Sequence, residues 1–254
     1  MVDFFLYSTM TRKYILTIFF LLFISGFSYS QNILTKMNSG DFEIAISGIY
    51  VTSATIQLNP FLNDPLEKYF SVDTKGGYGF GVSVKKKFFW DNFYLGLSTE
   101  YVKITDDGLS QYIYSNDTTY LNVKVTESIW MFPVELSAIF EIPAITENFK
   151  IYLGGGVGLY FGDRKRKIIS FETETIKRNP KLNLQVLCGM EYKFSKNISG
   201  IFQMTFRQAQ FNVFSRYPAD RFYFEGYDYY FVQDLHSKIY FDGLKLNLGL
   251  GYNF

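Results

Sequence analysis

Four charged residues stand out because each sits in a run where every second residue is apolar. Glu100 lies in Phe93–Lys103, Glu135 in Ser128–Ile142, Arg207 in Ile198–Phe211 and Lys245 in Asp242–Phe254. In each run the charge shares its parity with residues such as Gly, Ser, Gln or Asn, while Leu, Phe, Val, Tyr and Met fill the other parity. A period of two marks a strand with unlike faces, so all four charges fall on polar faces. Two acids and two bases at similar distances from their strand ends have two chemical readings. They form a gate or proton path, or they pair as a salt-bridge network that fills space. An unpaired buried charge costs several kcal/mol, so pairing is expected under either reading.

Other motifs carry less. Gly154-Gly155-Gly156-Val157-Gly158 is rich enough in glycine for a phosphate loop, but no helix follows and no Lys-Ser/Thr closes it. Its small residues instead leave room for Tyr152 and Tyr160. Asp106-Asp107-Gly108 lacks the ligand spacing of a calcium loop and reads as a turn. His236 is the sole histidine, which excludes a multi-histidine metal site. Asp234 and Ser237 stand beside it, yet immediate sequence neighbours do not form a catalytic triad. The chain is therefore read as non-enzymatic, with no catalytic, cofactor or metal residues. Cys188 is the sole cysteine and cannot form an internal disulfide.

The elements that position the four charges are eight alternating strands. They are Asp41–Thr52, Gly77–Phe89, Phe93–Lys103, Ser128–Ile142, Lys150–Gly162, Lys181–Phe194, Ile198–Phe211 and Asp242–Phe254. Each is long enough to cross a bilayer at a barrel's tilt, where about 9–11 residues suffice. The last shows the pattern most plainly. Leu244, Leu246, Leu248, Leu250, Tyr252 and Phe254 oppose Lys245, Asn247, Gly249, Gly251 and Asn253. Connections after the second, fourth and sixth strands are short, and those after the first, third, fifth and seventh are long. The long ones, Ser53–Gly76, Ile104–Glu127, Asp163–Pro180 and Asn212–Phe241, read as loops. Strict short–long alternation suits an up-and-down transmembrane β-barrel with an apolar exterior, periplasmic turns and external loops. A soluble lipocalin-like barrel would put the apolar parity inside. Pro133 would forfeit a ladder hydrogen bond within a closed wall, so a bulge is expected there.

Residues 1–30 have the order of a secretory signal peptide. Arg12 and Lys13 precede the apolar run Tyr14–Ile24, and small residues lead to Ser30. The run is shorter than the roughly 20 residues of a spanning helix. Residues 31–254 then form one barrel domain. Residues 1–30 hold Arg12, Lys13 and Asp3 against a formal charge of +1 for the whole chain, so the remainder is neutral. Neutrality argues against a nucleic-acid partner. Aromatic residues at 20% beside a mean hydropathy of +0.00 fit alternating strands with aromatic girdles.

The leader, the eight alternating strands and the terminal aromatic together resemble the small bacterial outer-membrane barrels of OmpA and OmpX type. The Tyr- and Gly-rich style also resembles the PorT-like barrels of Bacteroidetes. The resemblance implies an outer-membrane location with both termini periplasmic. It implies recognition of Tyr252 and Phe254 by the barrel assembly machinery, and contact with outer-membrane lipid. Arg164, Lys165, Arg166 and Lys167, where the fifth strand leaves the membrane, are candidates for contact with lipopolysaccharide phosphates. Their alternative is a solvated loop edge. The last connection crowds ten aromatics between Tyr217 and Phe241, with a hairpin expected over Phe222–Phe231 about Gly226. Tyr223, Tyr227, Tyr229 and Tyr230 are its candidate surface for an extracellular or envelope partner. The resulting expectation is a surface barrel that binds or stabilises through its loops, with a narrow solute pore as the alternative.

Overall fold

Alternation builds the wall of the molecule. The computed structural model describes residues 41–254 except 62, 65–67, 89, 91, 116–119, 147, 225 and 231–232, with the side chains of 143–145 also left aside. The leader expected over residues 1–30 lies outside the described residues. In chain order the strands are β1 Phe42–Val51, β2 Ala54–Leu58, β3 Ser71–Thr74, β4 Gly77–Lys87, β5 Phe93–Ser115, β6 Tyr120–Thr146, β7 Phe149–Ile168 and β8 Phe171–Glu172. They continue with β9 Glu174–Asn179, β10 Lys181–Lys193, β11 Ile198–Arg207, β12 Ala209–Arg216, β13 Arg221–Phe224, β14 Tyr227–Tyr230, β15 Asp234–Phe241 and β16 Leu244–Asn253.

Eight of these close on themselves. The antiparallel order β1-β4-β5-β6-β7-β10-β11-β16 returns to β1, where Ile46 pairs with Leu250. Closure leaves the wall no free edge at this level. Between two bands of aromatics, the outward positions of the described residues carry no charge apart from Lys86, which pairs with Leu95 close to the first band. Trp90, Phe93, Tyr192 and Phe194 belong to one band, and Tyr50, Tyr78, Tyr101 and Trp130 to the other. Phe93 and Tyr101 are eight residues apart on β5. At about 3.4 Å per residue and a 35–45° tilt, that gives roughly 20 Å along the axis, close to an apolar band of about 25 Å.

Beyond the second band the wall changes. Of the four connections expected as loops, the last three are largely strand, and the first contributes β2 and β3. β5 continues to Ser115, β6 starts at Tyr120 and β7 reaches Ile168, so that side extends as one long sheet. The other side bends and regroups as a five-stranded sheet, β3-β2-β15-β12-β9. The bends fall at Thr52–Ser53, Pro180, Gln208 and Asp242–Gly243, each a break between consecutive strands. Pro180 has no N–H to continue a ladder. The Gln208 N–H still donates to the Leu184 carbonyl at 3.2 Å, one step on from the Gln185–Arg207 pair, so the wall's ladder runs up to this bend.

The two sheets enclose an apolar core built from Val102, Ile104, Ile129, Met131, Phe211 and Phe241 among others. Phe211 lies over Gly162 of β7, so closely that a side chain there would occupy the ring's place. Two seams join the sheets. At one, Asp163 of β7 accepts from Arg178 (2.5 Å) and Thr175 (2.6 Å). At the other, Asp106 of β5 accepts from the backbone N–H of Lys75 (3.0 Å), with the Lys75 ammonium at 3.5 Å.

Two local expectations are corrected. Pro133 makes no bulge, since β6 keeps its register past it on both sides, and the Thr99 hydroxyl donates to the Pro133 carbonyl at 2.9 Å. Proline's missing N–H interrupts the ladder without shifting it. Asp106-Asp107-Gly108 is a bulge within β5 instead of a turn, with the Gly108 N–H donating to Asp106 at 2.9 Å.

Candidate functional site

The inward positions of β6 read off the interior as a stack: Glu141, Ile139, Ser137, Glu135, Pro133, Met131, Ile129, Glu127, Val125 and Val123. Each charged member sits in a charged layer; Ile139 and Ser137 separate the first two, and Met131 and Ile129 help separate the second from the third.

The middle charged layer contains the four residues singled out in the sequence, and the structure brings all four together. Lys245 donates to Glu100 at 2.7 Å and to Glu135 at 3.3 Å. Arg207 donates to Glu100 and lies 3.8 Å from Glu135. The Tyr160 hydroxyl donates to Glu135 at 2.5 Å. Arg207 also stacks near the rings of Tyr160 and Phe241, at 5.8 and 6.0 Å. All five residues are buried. A layer of two acids and two bases is neutral, which is the condition for holding charges in a narrow space. Gly158 makes room for it, because a Cβ there would stand 2.7 Å from the Tyr160 ring.

A second layer, nearer the short turns, went unnoticed in the sequence. Lys85 is surrounded by Glu191 (3.1 Å), Glu43 (3.4 Å) and Glu141 (3.6 Å), and Lys150 holds Glu141 at 2.7 Å. The rings of Tyr94 and Tyr152 face the Lys85 ammonium at 5.2 and 5.5 Å. The available signal was that Glu43, Lys85, Glu141 and Glu191 all lie on inward parities near one end of the wall. Between these two layers is a cavity of about 70 Å³ lined by Ser47, Ser98, Ser137, Gln203 and Asn247 among others. Its polar lining suits a few waters, each needing about 10–15 Å³. It ends at the charged layers on either side.

The four basic residues 164–167 divide by parity. Arg164 and Arg166 point inward between the two sheets, 1% and 9% exposed. Only Lys165 and Lys167 face outward, and Lys165 holds Glu172 at 2.6 Å. Contact with lipopolysaccharide by Arg164 and Arg166 is thereby excluded, because β7 continues as strand where a loop was expected.

The aromatic candidates divide in the same way. β13 and β14 form the expected hairpin, with Gly226 at φ 87° in its turn, and the hairpin pairs with β5 through Tyr230 and Tyr114. Tyr229 is buried against Phe222, with ring centroids 5.5 Å apart, and leaves the candidate surface. Tyr223, Tyr227 and Tyr230 stay accessible. They are joined by residues the sequence reading missed. Tyr114 pairs with both Tyr120 and Tyr230, and Tyr112 meets Tyr120 edge-on at 5.5 Å. Tyr112, Tyr114, Tyr120, Tyr223 and Tyr230 thus form an exposed tyrosine row on the outer face of the long sheet.

His236, Asp234 and Ser237 do not converge. Ser237 faces inward and accepts from Arg164, Asp234 is bound by Arg216 at 2.6 Å, and His236 packs on Phe214 with centroids 4.5 Å apart. Among the described residues, no His, Cys, Asp and Glu group is arranged to hold a metal ion.

A closed eight-strand wall with an apolar exterior and a charged interior can now be compared with solved structures. OprG from Pseudomonas aeruginosa matches over 85% of this chain and 96% of its own, with a TM-score of 0.58 and 16% identity. The fold is that of a small outer-membrane β-barrel. Neisserial surface protein A also aligns, over 86% of this chain and all of its own, at 12% identity and a TM-score of 0.45. No family model and no curated protein matches the chain. At these identities the likeness is one of fold, and what the barrel does must be argued from its own side chains. Tyr252 faces outward at the barrel's exterior, and Phe254 is exposed beyond β16.

Proposed function

We propose that this protein is a non-conducting, non-enzymatic outer-membrane barrel that presents a β-sheet platform outside the cell. The single observation that carries the reading is the filled interior. A transported solute would have to pass the Lys85 layer, the Glu100–Glu135–Arg207–Lys245 layer and the Phe211–Phe241 core in turn. The last is dry and closely packed, which opposes a water path most strongly. The outer sheets account for the long strands, and the exposed tyrosine row gives them a surface suited to a glycan or protein partner. Lys165 and Lys167, which face outward above the outer aromatic band, would meet lipid phosphates. Residues 1–30 would direct export.

The test is conductance. The refolded protein in planar bilayers should show negligible steady current. A large, stable, ion-selective conductance would defeat this reading and favour a pore. Location is tested separately, by fractionation with the outer membrane and heat-modifiable gel mobility.

A further inference from the structure

The rings on the outer face of the long sheet stand in register. Arg221 pairs with Tyr230, Tyr230 with Tyr114 and Tyr114 with Tyr120, so one straight row crosses β13, β14, β5 and β6. All four residues are exposed. Neighbouring strands lie about 4.8 Å apart, so the row offers a guanidinium and then three rings at that interval. Tyr223 and Asp228 pair two residues to one side of the row, and Tyr112 and Asn122 two residues to the other.

Neither the membrane nor the protein's own core accounts for these rings. On β6, Tyr120 is ten residues beyond Trp130 of the outer aromatic band, about 34 Å along the strand. The core beneath is made by the opposite parity, Ile113, Val123, Phe222 and Tyr229. Aromatics left exposed together in this way mark a contact surface.

Size and composition select the partner. Three strand gaps by two steps along a strand make a patch roughly 14 Å on a side, well below the about 800 Å² that each partner buries in a stable protein interface. The face also has no aliphatic side chain to form an apolar centre. Besides the tyrosines, its described outward positions from Ser110 on β5 and up to Lys124 on β6, with those of the hairpin, are Ser110, Asn122, Lys124, Arg221 and Asp228. The two cations and one acid are interspersed, so no field of one sign selects an ionic ligand.

We propose that the row binds an extended neutral polysaccharide, with successive sugar rings stacked on Tyr120, Tyr114 and Tyr230. The strand interval is close to the length of one pyranose unit in an extended chain. Each tyrosine offers a ring face to the sugar's C–H groups and a hydroxyl that donates and accepts hydrogen bonds. Arg221, Asn122 and Ser110 supply further partners for the sugar hydroxyls. Such binding rests on the platform reading of the outer sheets and is independent of whether the lumen conducts.

Cellohexaose, a straight β-1,4-linked chain, is the probe, and maltohexaose, which coils, is the control. The refolded barrel, in a detergent without a sugar headgroup, is titrated with each by calorimetry. Cellohexaose should bind saturably, and maltohexaose about tenfold more weakly or worse. Tyr114→Ala, at the centre of the row, should lose about tenfold in affinity, as removal of one stacked ring requires. Tyr114→Phe keeps the ring and should stay close to the parent. Tyr69→Ala, an exposed tyrosine outside the row, should bind as the parent does. Equal binding of the two hexasaccharides, or an unchanged Tyr114→Ala, would overturn the assignment. A parent that binds neither sugar would overturn it as well and leave the face to a protein partner. Should Tyr114→Ala lose heat-modifiable mobility, Tyr120→Ala takes its place with the same expected loss. Conductance of the same preparation tests the filled lumen separately, so either reading can fail alone.

Discussion

The lower and upper halves of this molecule use one alternation rule with opposite interiors. Between the aromatic bands the wall is apolar outside and charged inside, because lipid takes the exterior and eight strands leave a space that side chains must fill. Beyond the outer band the parity of β6 is unchanged, yet its inward residues become Met131, Ile129, Val125 and Val123, interrupted only by Glu127 with its Arg164 partner, and its outward ones become Lys124, Asn122 and Tyr120. With water outside, the driving force is the hydrophobic effect, and the wall flattens into two sheets to bury that face. A barrel crossing from lipid to water thus turns from a tube held by layers of paired charges into a sandwich held mainly by an apolar core. The two halves should fail differently when each is damaged in its own currency.

The largest effects should come from the two interiors. Phe211→Ala removes the ring that lies on Gly162 and should cost about 3–5 kcal/mol. The loss should appear as protease cleavage within β12, β9 or β15 while heat-modifiable mobility persists. Arg207→Ala leaves Glu100 and Glu135 with one base between them and should cost about 3–5 kcal/mol in the urea stability of the whole barrel. Glu100→Ala combined with Arg207→Ala should recover part of that loss. If Phe211→Ala and Arg207→Ala instead gave the same unfolding profile, the halves would be one cooperative unit and the contrast between them would fail.

The exterior gives the next effect. Leu248, 72% exposed, faces outward between the bands. Leu248→Arg should impair insertion, by about 2–4 kcal/mol for a midplane cation on a barrel's lipid face. Asn247→Arg, on the other parity, should insert better, and equal damage from both would mean that the faces are assigned wrongly.

The smallest effect concerns the seam at Asp106. Burial alone would raise its carboxyl pKa, but the N–H groups of Gly108 and Lys75, with the Lys75 ammonium, outweigh burial and hold it below the ordinary 3.8. A depressed carboxyl contributes stability that is present above pH 3.8 and is lost as the pH falls through the depressed value. The contribution should be about 1 kcal/mol, since Lys75 is mostly solvated. Asp106→Asn should therefore lower stability near neutral pH and flatten the acid limb of a denaturation curve. An unchanged acid limb would remove Asp106 from the seam.

Much of this was legible before any coordinates. The wall strands, their faces, the neutrality of the four central charges and the hairpin about Gly226 follow from parity and turn chemistry. The long connections read as loops from the short–long pattern, yet Leu121–Val125 and Lys165–Lys167 within them keep the period of two of the strands they extend. Parity alone also separates Arg164 and Arg166 from Lys165 and Lys167, and Tyr229 from Tyr230, once a strand is granted.

By itself the sequence determined which residues share a face, because a strand's period is fixed by its covalent geometry. Only the tertiary structure decided which face is inside at each height, and which charges meet. Lys85 finds Glu191 across 106 positions of chain, and Lys245 finds Glu100 across 145. Such pairings depend on the closure and stagger of the barrel, and on the bends at Pro180, Gln208 and Asp242–Gly243 that fold one half of the wall over the other. Those are set by the summed packing of many strands, and no local spacing encodes them.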